Sequence, residues 1–247
     1  MRHWPIVAAL GLALACETAQ GGEVRLLASG ALREALEELL PEFERASAHK
    51  VALTIAGTAG IVNRMQKGEV TDVVILADYA LAGLAREGKV VDGNRVDVAR
   101  SGVGVAVAKG APKPDIGSGE ALKRTLLAAK SIAHSRGPSG IYLTGLFRKL
   151  GIADEIKAKV KEVEGEPVAR LVARGEVEIG FQQISEIIHV AGVDYLGPLP
   201  PDVQHITVFA SGLAATAKET DAANALVRFL TAPAAAPVLK KHGLEPG

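Results

Sequence analysis

The sequence predicts an α/β fold in which a mainly parallel sheet, covered by helices, is divided between two lobes. Strand-like and helix-like segments alternate with short connections, which is typical of repeated βα units. Segments 65–74 and 172–181 also resemble each other, because each has a helix end, a Gly-Glu turn and a strand. The similarity indicates two related lobes, although coincidence gives the same pattern, since a basic residue before Gly is a common helix C-cap.

Composition limits the classes of function. The chain has 247 residues, with 28 basic and 28 acidic side chains, so no net charge attracts nucleic acid or an anionic membrane. Aromatic residues make up only 4%, which argues against stacking surfaces for sugars or bases. We therefore predict a small, polar, hydrogen-bonded ligand and no nucleic-acid partner.

The N-terminal residues indicate export. Arg2 and His3 precede an apolar run at 6–15, which is too short to span a bilayer but fits a signal peptide over residues 1–22. Cleavage after Ala15 would leave Cys16 first, so a lipid anchor there and a plain signal peptide both remain open. The predicted location is the periplasm. Because Cys16 is the only cysteine, no disulfide forms within the chain.

The first lobe begins with a regular series of elements. A short apolar strand at 24–28 is followed by Ser29, Gly30 and a helix at 31–40 with one apolar face. A second strand at 51–55, a third at 73–76 and a helix near 79–87 continue the pattern. In such folds the ligand crevice lies beyond the carboxyl ends of the strands.

Residues 54–78 are the most informative stretch, because they predict a strand, a turn of small residues, a short helix and another strand. Gly57, Thr58, Ala59 and Gly60 leave backbone N–H groups at the helix start open to an anion or another acceptor. An ordinary strand-to-helix loop has the same composition. Arg64, about one turn into the helix, is either a counter-charge for the ligand or half of a surface ion pair.

Two strands are predicted to cross between the lobes. The strand at 103–108 carries the chain out of the first lobe, and the segment 207–215 brings it back. A helix at 221–230 then completes the first lobe. The predicted lobes are therefore residues 23–103 with 208–247, and residues 104–207.

The second lobe repeats the strand, turn and helix arrangement. A strand at 131–135 leads into a turn that contains Arg136, Ser139 and Gly140, and a helix follows at 141–150. Ser139 and Gly140 lack bulk, as a turn that faces a ligand requires. Arg136 adds a positive charge, although a solvated surface arginine would have the same sequence context.

The strand at 177–181 ends in an unusual group of polar side chains, Gln182, Gln183 and Ser185. Neighbouring side chains on a strand point to opposite faces, so we expect only one glutamine to face a ligand directly. His134 precedes Ser135 at the end of another strand. By the same alternation, we expect His134 to be packed rather than to act as a base.

The chain resembles the molybdate-type periplasmic substrate-binding proteins of ABC transporters, which have the type II periplasmic binding protein fold. The resemblance rests on residues 26–36, 57–78, 138–142 and 180–185. It implies two α/β lobes joined by two crossing strands with a ligand cleft between them. Three positions differ from the pattern: Ala31 replaces the first serine, only Thr58 offers a hydroxyl in the second loop, and Gln183 replaces a tyrosine.

These features together predict an extracytoplasmic solute-binding protein. Its ligand is a small anion, either a molybdate-like oxyanion or an organic carboxylate, and its partner is the membrane permease of an ABC transporter. We expect a monomer, because the protein must hinge and dock. The predicted ligand-binding residues are Ser29, Gly30, Thr58, Ala59, Arg64, Arg136, Ser139, Gly140, Gln182, Gln183 and Ser185.

An enzyme on the same scaffold is the alternative. The sequence has no metal-ligand cluster, nucleophile elbow or dinucleotide fingerprint, so no metal and no cofactor are predicted. Aconitate isomerases, which interconvert cis- and trans-aconitate in the periplasm, resemble this fold. That reaction moves a proton along an allylic carboxylate and needs one positioned base, which the sequence does not identify. A binder that serves sensing rather than transport also remains open.

Overall fold

The computed structural model describes residues 21–247 of the chain. The predicted signal peptide and Cys16 fall almost wholly within residues 1–20, outside the described residues, and remain predictions. Strand β1 starts at Glu23, and the carbonyl oxygen of Gly22 accepts a hydrogen bond from Lys50 N at 3.1 Å. The first residues that the structure describes therefore already belong to the sheet.

The first half of the structure contains three parallel strands and three helices. β1 lies between β2 and β3 and is parallel to both. A short 3-10 turn, Gly30–Leu32, links β1 to the first helix. The elements are β1 (Glu23–Ser29), α1 (Arg33–Ser47), β2 (Lys50–Ala56), α2 (Thr58–Gln66), β3 (Val73–Ala77) and α3 (Asp78–Arg86).

The second half repeats this plan around a further parallel group, in which β5 pairs with both β6 and β7. 3-10 turns occur at Lys157–Lys159 and Pro201–Val203. The elements are β4 (Val96–Ala108), α4 (Gly119–Ala128), β5 (Ile132–Ser135), α5 (Pro138–Lys149), α6 (Ala153–Ile156), β6 (Val160–Val163), α7 (Val168–Ala173), β7 (Ile179–Gln183), α8 (Ile184–Ile187) and β8 (Val193–Pro198).

The chain then returns to the first half through a long strand and ends in two helices. The 3-10 turn Pro233–Ala235 separates those helices, and the final short strand pairs with β4. The elements are β9 (Ile206–Leu213), α9 (Thr220–Thr231), α10 (Ala236–Lys241) and β10 (Glu245–Pro246).

β4 and β9 are the two crossing strands. The strand order is β2-β1-β3-β9-β4-β7-β5-β6, so β4 and β9 lie at its centre. They run antiparallel, because one leaves the first half and the other returns to it. The sheet is thus parallel in its outer parts and antiparallel at the crossing, a refinement of the mainly parallel sheet expected from sequence.

The partner of β4 changes along its length. Up to Gly102 it pairs with β9, and from Val103 onward it pairs with β7. This change lies beside the predicted lobe boundary at 103/104, and the boundary itself remains a prediction.

Each half has its own apolar core. In the first half, the buried faces of α1 and α9 pack against β1 and β3, with Phe43 and Phe209 fully buried. In the second half, α4 and α5 cover β5 and β7 around Phe181. Two separate cores allow the halves to move as units, which a hinge between them requires.

No single helix within residues 21–247 is long and apolar enough to cross a bilayer. The bent pair formed by α9 and residues 233–241 has the length and apolar composition of a span, and the inner face of α9 is buried in the core.

Candidate functional site

A cleft of about 780 Å³ lies between the two halves. Its first wall contains the ends of β1 and β2 and the starts of the segments that follow them, and its second wall contains the ends of β5 and β7 with α8. The predicted residues in these walls are Ser29, Gly30, Thr58, Ala59, Arg136, Gln182, Gln183 and Ser185.

The start of α2 forms one wall. Gly57 is the N-cap residue in an extended conformation, and no side chain caps the helix. The first helical hydrogen bond joins Ile61 N to the carbonyl oxygen of Gly57, so the N–H groups of Thr58, Ala59 and Gly60 have no partner within the helix. A side chain at Gly57 would meet no atom within 4 Å. The cleft is therefore open beside the positive end of the helix, where these donors lie.

Two hydroxyl groups in the cleft are buried without a hydrogen-bond partner. Thr58 and Ser185 are each 4% exposed, and neither Thr58 Oγ1 nor Ser185 Oγ bonds another atom of residues 21–247. Buried hydroxyls are ordinarily paired, because leaving one unpaired costs about 1–3 kcal/mol. Thr58 belongs to the first half and Ser185 to the second, so the two unpaired groups lie on opposite walls.

The short helix α8 carries Ser185 into the cleft and lies on the crossing segment of β4. Gly102 and Gly104 make room for it, since a Cβ at either position would come within about 3.3 Å of the Ile184 side chain. On its other side α8 packs against the turn that follows β1. This helix thus touches both halves where they join.

Both predicted glutamines line the cleft, but their amide groups also form hydrogen bonds with the neighbouring elements of the wall. Gln182 Oε1 accepts a hydrogen bond from Val168 N at 2.7 Å and so caps α7. Gln183 Oε1 accepts from Thr207 Oγ1 at 2.9 Å, while its nitrogen donates to the carbonyl oxygen of Ser101 at 3.0 Å. The Gln183 side chain, only 1% exposed, therefore joins β7 to both crossing strands.

Ser29 stands at the end of β1, and its Oγ accepts a long hydrogen bond of 3.4 Å from Ala31 N. It caps the 3-10 turn and retains its hydroxyl proton as a donor. The next residue, Gly30, lies against Glu186, because a Cβ there would be 3.3 Å from Glu186 Oε1. The turn that follows β1 thus touches α8 across the cleft.

Four arginines reach the cleft walls. Arg136 is neutralised by Glu164 at 2.8 Å and by Glu162 at 3.4 Å, and Arg174 is paired with Glu166 and Glu176. Arg33 has only an exposed contact of 3.6 Å to Glu37. Arg170 forms no ion pair with any residue in the described part of the chain. Arg33 and Arg170 are therefore the cations most available to a ligand.

Glu186, in the first turn of α8, is the most perturbed acid of the cleft. Burial raises the pKa of Glu186 to about 7, although a hydrogen bond from Gln182 and the charge of Arg33 oppose the rise. Near neutral pH this carboxyl is present in both its ionised and its neutral form. A group of this kind can either accept a proton or donate one.

Three predicted residues lie outside the cleft walls. Arg64 is in the last turn of α2 and pairs with Glu69 at 2.9 Å, which corresponds to the surface-pair alternative. Ser139 is buried, with its Oγ 3.2 Å from Ser135 Oγ. Gly140 is packed so closely that a Cβ would collide with the carbonyl oxygen of Ser135. Both residues support the turn rather than face the cleft.

His134 is packed, as the alternation of the strand predicts. It is 3% exposed, its Nδ1 lies 2.9 Å from the carbonyl oxygen of Ser135, and its ring lies against Phe147. Ser135, the next residue, lines the cleft.

Sequence reasoning missed Glu186, Arg33 and Arg170. Glu186 directly follows the polar group that ends β7, so its proximity to that group was a usable signal. Arg33 follows Ser29 and Gly30 by one helical turn. Nothing in the sequence distinguishes Arg170 from the other basic residues of its surroundings. Within residues 21–247, no cluster of three or more His, Cys, Asp or Glu side chains has metal-binding geometry.

Comparison with known proteins identifies the family. Residues 24–245 match the bacterial extracellular solute-binding proteins. The chain belongs to this family. This solute-binding protein is 36% identical over 227 residues to an aconitate isomerase from a Pseudomonas species, with 90% of this chain and 87% of the relative covered. It is 29% identical over 250 residues to a molybdate-binding protein from Azotobacter vinelandii, with 96% of each chain covered.

A solved structure confirms the fold of this solute-binding protein. The periplasmic molybdate-binding protein of Azotobacter vinelandii superimposes with a TM-score of 0.76 at 19% identity, covering 91% of this chain and 99% of that one. The type II periplasmic binding protein fold with two lobes, predicted from the sequence, is therefore confirmed. The resemblance to the molybdate-type binding proteins is confirmed as well.

Proposed function

We propose that this solute-binding protein captures a small organic anion in the cleft between its lobes and delivers it to an ABC-type permease. The observation that carries the proposal is the pair of unpartnered hydroxyls, Thr58 and Ser185, on opposite walls of one cleft. A ligand oxygen that accepts from both hydroxyls would satisfy them and draw the two lobes together. Closure of this kind follows when a ligand binds the closed state better than the open one.

The donors of the cleft favour an anion. The open N–H groups at the start of α2 and the hydroxyls of Ser29, Thr58 and Ser185 can all donate to ligand oxygens. Arg33 and Arg170 add positive charge that internal ion pairs leave largely available. Negative charge on the ligand therefore complements this surface.

A carboxylate suits the cleft better than a tetrahedral oxyanion. A guanidinium group such as that of Arg170 can hold a carboxylate through two parallel hydrogen bonds. The volume of about 780 Å³ falls in the range of sites for organic ligands. Glu186 also lines the cleft, and its ionised carboxylate would repel a compact dianion that lies against it. A longer ligand with several carboxylates can place its charges away from Glu186.

The proposal has further features, which the family and the sequence support. The location is the periplasm, with either a cleaved signal peptide or a lipid anchor at Cys16 at the N-terminus. The working form is a monomer, because docking to a permease and hinge motion both need free lobes. The partner is the permease itself, and nucleic acid is not a ligand.

Isomerisation of aconitate is the second candidate function. It is favoured by the relative named aconitate isomerase, which is 36% identical, together with a carboxyl of raised pKa in the cleft. A binding protein needs no such group, whereas an allylic proton shift requires one.

A thermal-shift screen of residues 23–247 tests the proposed function. The panel is molybdate, tungstate, sulfate, phosphate and a set of di- and tricarboxylates. A ligand present at 100 times its dissociation constant adds about 2.7 kcal/mol to the stability of the native state, which raises the melting temperature by about 5 °C or more. We expect the shift with carboxylates. A shift with molybdate or tungstate alone would contradict the organic anion, and no shift with any member would contradict anion binding.

Incubation with trans-aconitate tests the second candidate. This candidate function predicts that the cis isomer accumulates above a buffer blank. Binding of aconitate without any conversion would leave capture for transport as the function.

A further inference from the structure

The carboxyl of Glu186 occupies a defined position in the cleft. It lies in the first turn of α8, next to the unpaired hydroxyl of Ser185, and its Oε1 faces the backbone of Gly30 on the opposite wall. The side-chain amide of Gln182, at the end of β7, favours the ionised form of Glu186 and so partly offsets the effect of burial on its pKa. Gln182 is itself held in place by its bond to Val168 N.

The other carboxyls of the cleft differ from Glu186 in their partners or in their position. Glu164 is paired with Arg136 and Glu166 with Arg174, so both are held as ion pairs. Glu34 lines the same cleft in the first turn of α1, on the side of His189. Glu186 alone stands between an unpaired hydroxyl and the turn that follows β1, where a bound ligand would contact both walls.

The other charged groups that line the cleft with Glu186 come from the elements beside α8. From α1 these are Arg33 and Glu34, and from α7 they are Arg170 and Arg174. His189 follows α8 on the same wall and hydrogen-bonds to His242 Nδ1 through its Nε2 at 3.0 Å. The two available arginines, Arg33 and Arg170, can hold the carboxylates of a ligand while Glu186 approaches its carbon chain.

From this geometry we propose that Glu186 is the catalytic acid–base residue of the cleft and moves a proton between two carbon atoms of a bound, unsaturated polycarboxylate. The inference deepens the second candidate function and rests on it. It adds the residue that neither the sequence nor the comparisons identify.

The step balances without any co-reactant. Glu186 in its carboxylate form takes a proton from the methylene carbon next to the double bond, and the electron pair of that C–H bond becomes a new carbon–carbon double bond. The electrons of the old double bond move to the far carbon, which takes the proton back from the Glu186 carboxylic acid. The double bond has moved by one position, and Glu186 is restored.

The surroundings of Glu186 suit both the removal and the return of the proton. Negative charge that spreads onto the ligand carboxylates is stabilised by Arg33, Arg170 and the N–H groups at the start of α2. Because burial raises the pKa of Glu186 to about 7, the group is ionised in part of the molecules at neutral pH and still returns the proton readily.

The test compares Glu186→Gln with wild type on trans-aconitate. Formation of the cis isomer and entry of deuterium from D₂O into the methylene group are both followed by NMR, and affinity is measured by calorimetry. We expect the variant to lose at least 100-fold in turnover, which is the lower range of a general base, while its affinity changes by less than about fivefold. Glu120→Gln, an exposed and distant neutralisation in α4, is the matched control and should behave as wild type.

Three results would overturn the proposal. The first is a Glu186→Gln variant that keeps wild-type turnover. The second is loss of turnover in Glu34→Gln but not in Glu186→Gln. The third is a wild-type protein that binds an anion in calorimetry but neither isomerises trans-aconitate nor exchanges its methylene protons. The third result leaves the proposed anion binding intact. A protein that binds no anion of the panel would contradict both the proposed anion binding and the acid–base role of Glu186.

Discussion

Thr207 Oγ1 donates a hydrogen bond of 2.9 Å to the side-chain amide oxygen of Gln183. Thr207 lies on β9 and Gln183 ends β7, while the nitrogen of the same amide donates to carbonyl oxygens of β4. One buried side chain therefore connects both crossing strands to the strand that leads into α8. The hinge between the lobes and the wall that carries Ser185 are joined through this amide.

Replacing Gln183 with Leu should destabilise the protein. The variant leaves the Thr207 hydroxyl and the carbonyl oxygens of Ser101 and Gly102 without this partner in a buried position, and the expected loss in free energy of unfolding is about 2 kcal/mol. Urea denaturation measures it. Gln66→Leu, on the exposed face of α2, is the control and should change stability little. Equal stability of Gln183→Leu and wild type would show that the amide does not brace the crossing.

Removing either unpaired hydroxyl should weaken ligand binding without loss of stability. Thr58→Val and Ser185→Ala each delete one donor to a charged ligand, so affinity should fall by about 1.5–3 kcal/mol, or roughly 10- to 150-fold. Calorimetry with the anion found in the screen gives the value. Thr144→Val is the control, because that hydroxyl bonds the carbonyl oxygen of Gly140 within α5. Unchanged affinity in both cleft variants would remove these hydroxyls from the binding site.

Ionisation of Glu186 should reduce the free energy of unfolding at alkaline pH. Its pKa is raised to about 7 in the folded state from an ordinary value of 4.5, so the folded state favours the neutral form. Its contribution is most favourable at low pH and is lost as the pH rises through 7. Glu186→Gln should therefore raise the free energy of unfolding at pH 8 by about 1–3 kcal/mol and change it little at pH 5. Equal effects at both pH values would contradict a raised pKa.

Asp72 should have the opposite pH dependence. Its burial raises the pKa, but hydrogen bonds from the backbone N–H groups of Arg25, Lys218 and Glu219 outweigh burial and hold the pKa below its usual value. The ionised form is thus favoured by folding, and this stability is lost as the pH falls below about 4.

Asp72→Ala should lower the free energy of unfolding at pH 7 by about 3 kcal/mol, because the three N–H groups lose their acceptor. Asp92→Ala, in an exposed turn, is the control. The difference between Asp72→Ala and wild type should shrink at pH 3. A difference that stays constant between pH 7 and pH 3 would contradict the lowered pKa.

The site residues that lie at strand ends and helix starts could be predicted from local sequence patterns. Ser29 ends β1 before a helical turn, and Thr58 begins α2 one residue after β2 has ended, so their place at the edge of the sheet follows from strand, turn and helix signals alone. The same signals brought Ser185 into the predicted site, because it follows β7 by two residues.

The remainder depends on contacts between distant segments. Arg64 was correctly placed on α2, but only the folded chain shows that it pairs with Glu69 on the outer side. The Gln183 amide is engaged by Thr207 and Ser101, which are 24 or more residues away in sequence. The raised pKa of Glu186 likewise arises from burial against another part of the chain, and no local pattern encodes burial.

The most direct test of the central claim is the structure of the complex with the anion that gives the largest thermal shift. We expect the ligand between the lobes, with its oxygens within about 3.2 Å of Thr58 Oγ1 and Ser185 Oγ. A ligand bound outside the cleft, or one in the cleft that leaves both hydroxyls without a contact, would contradict the account.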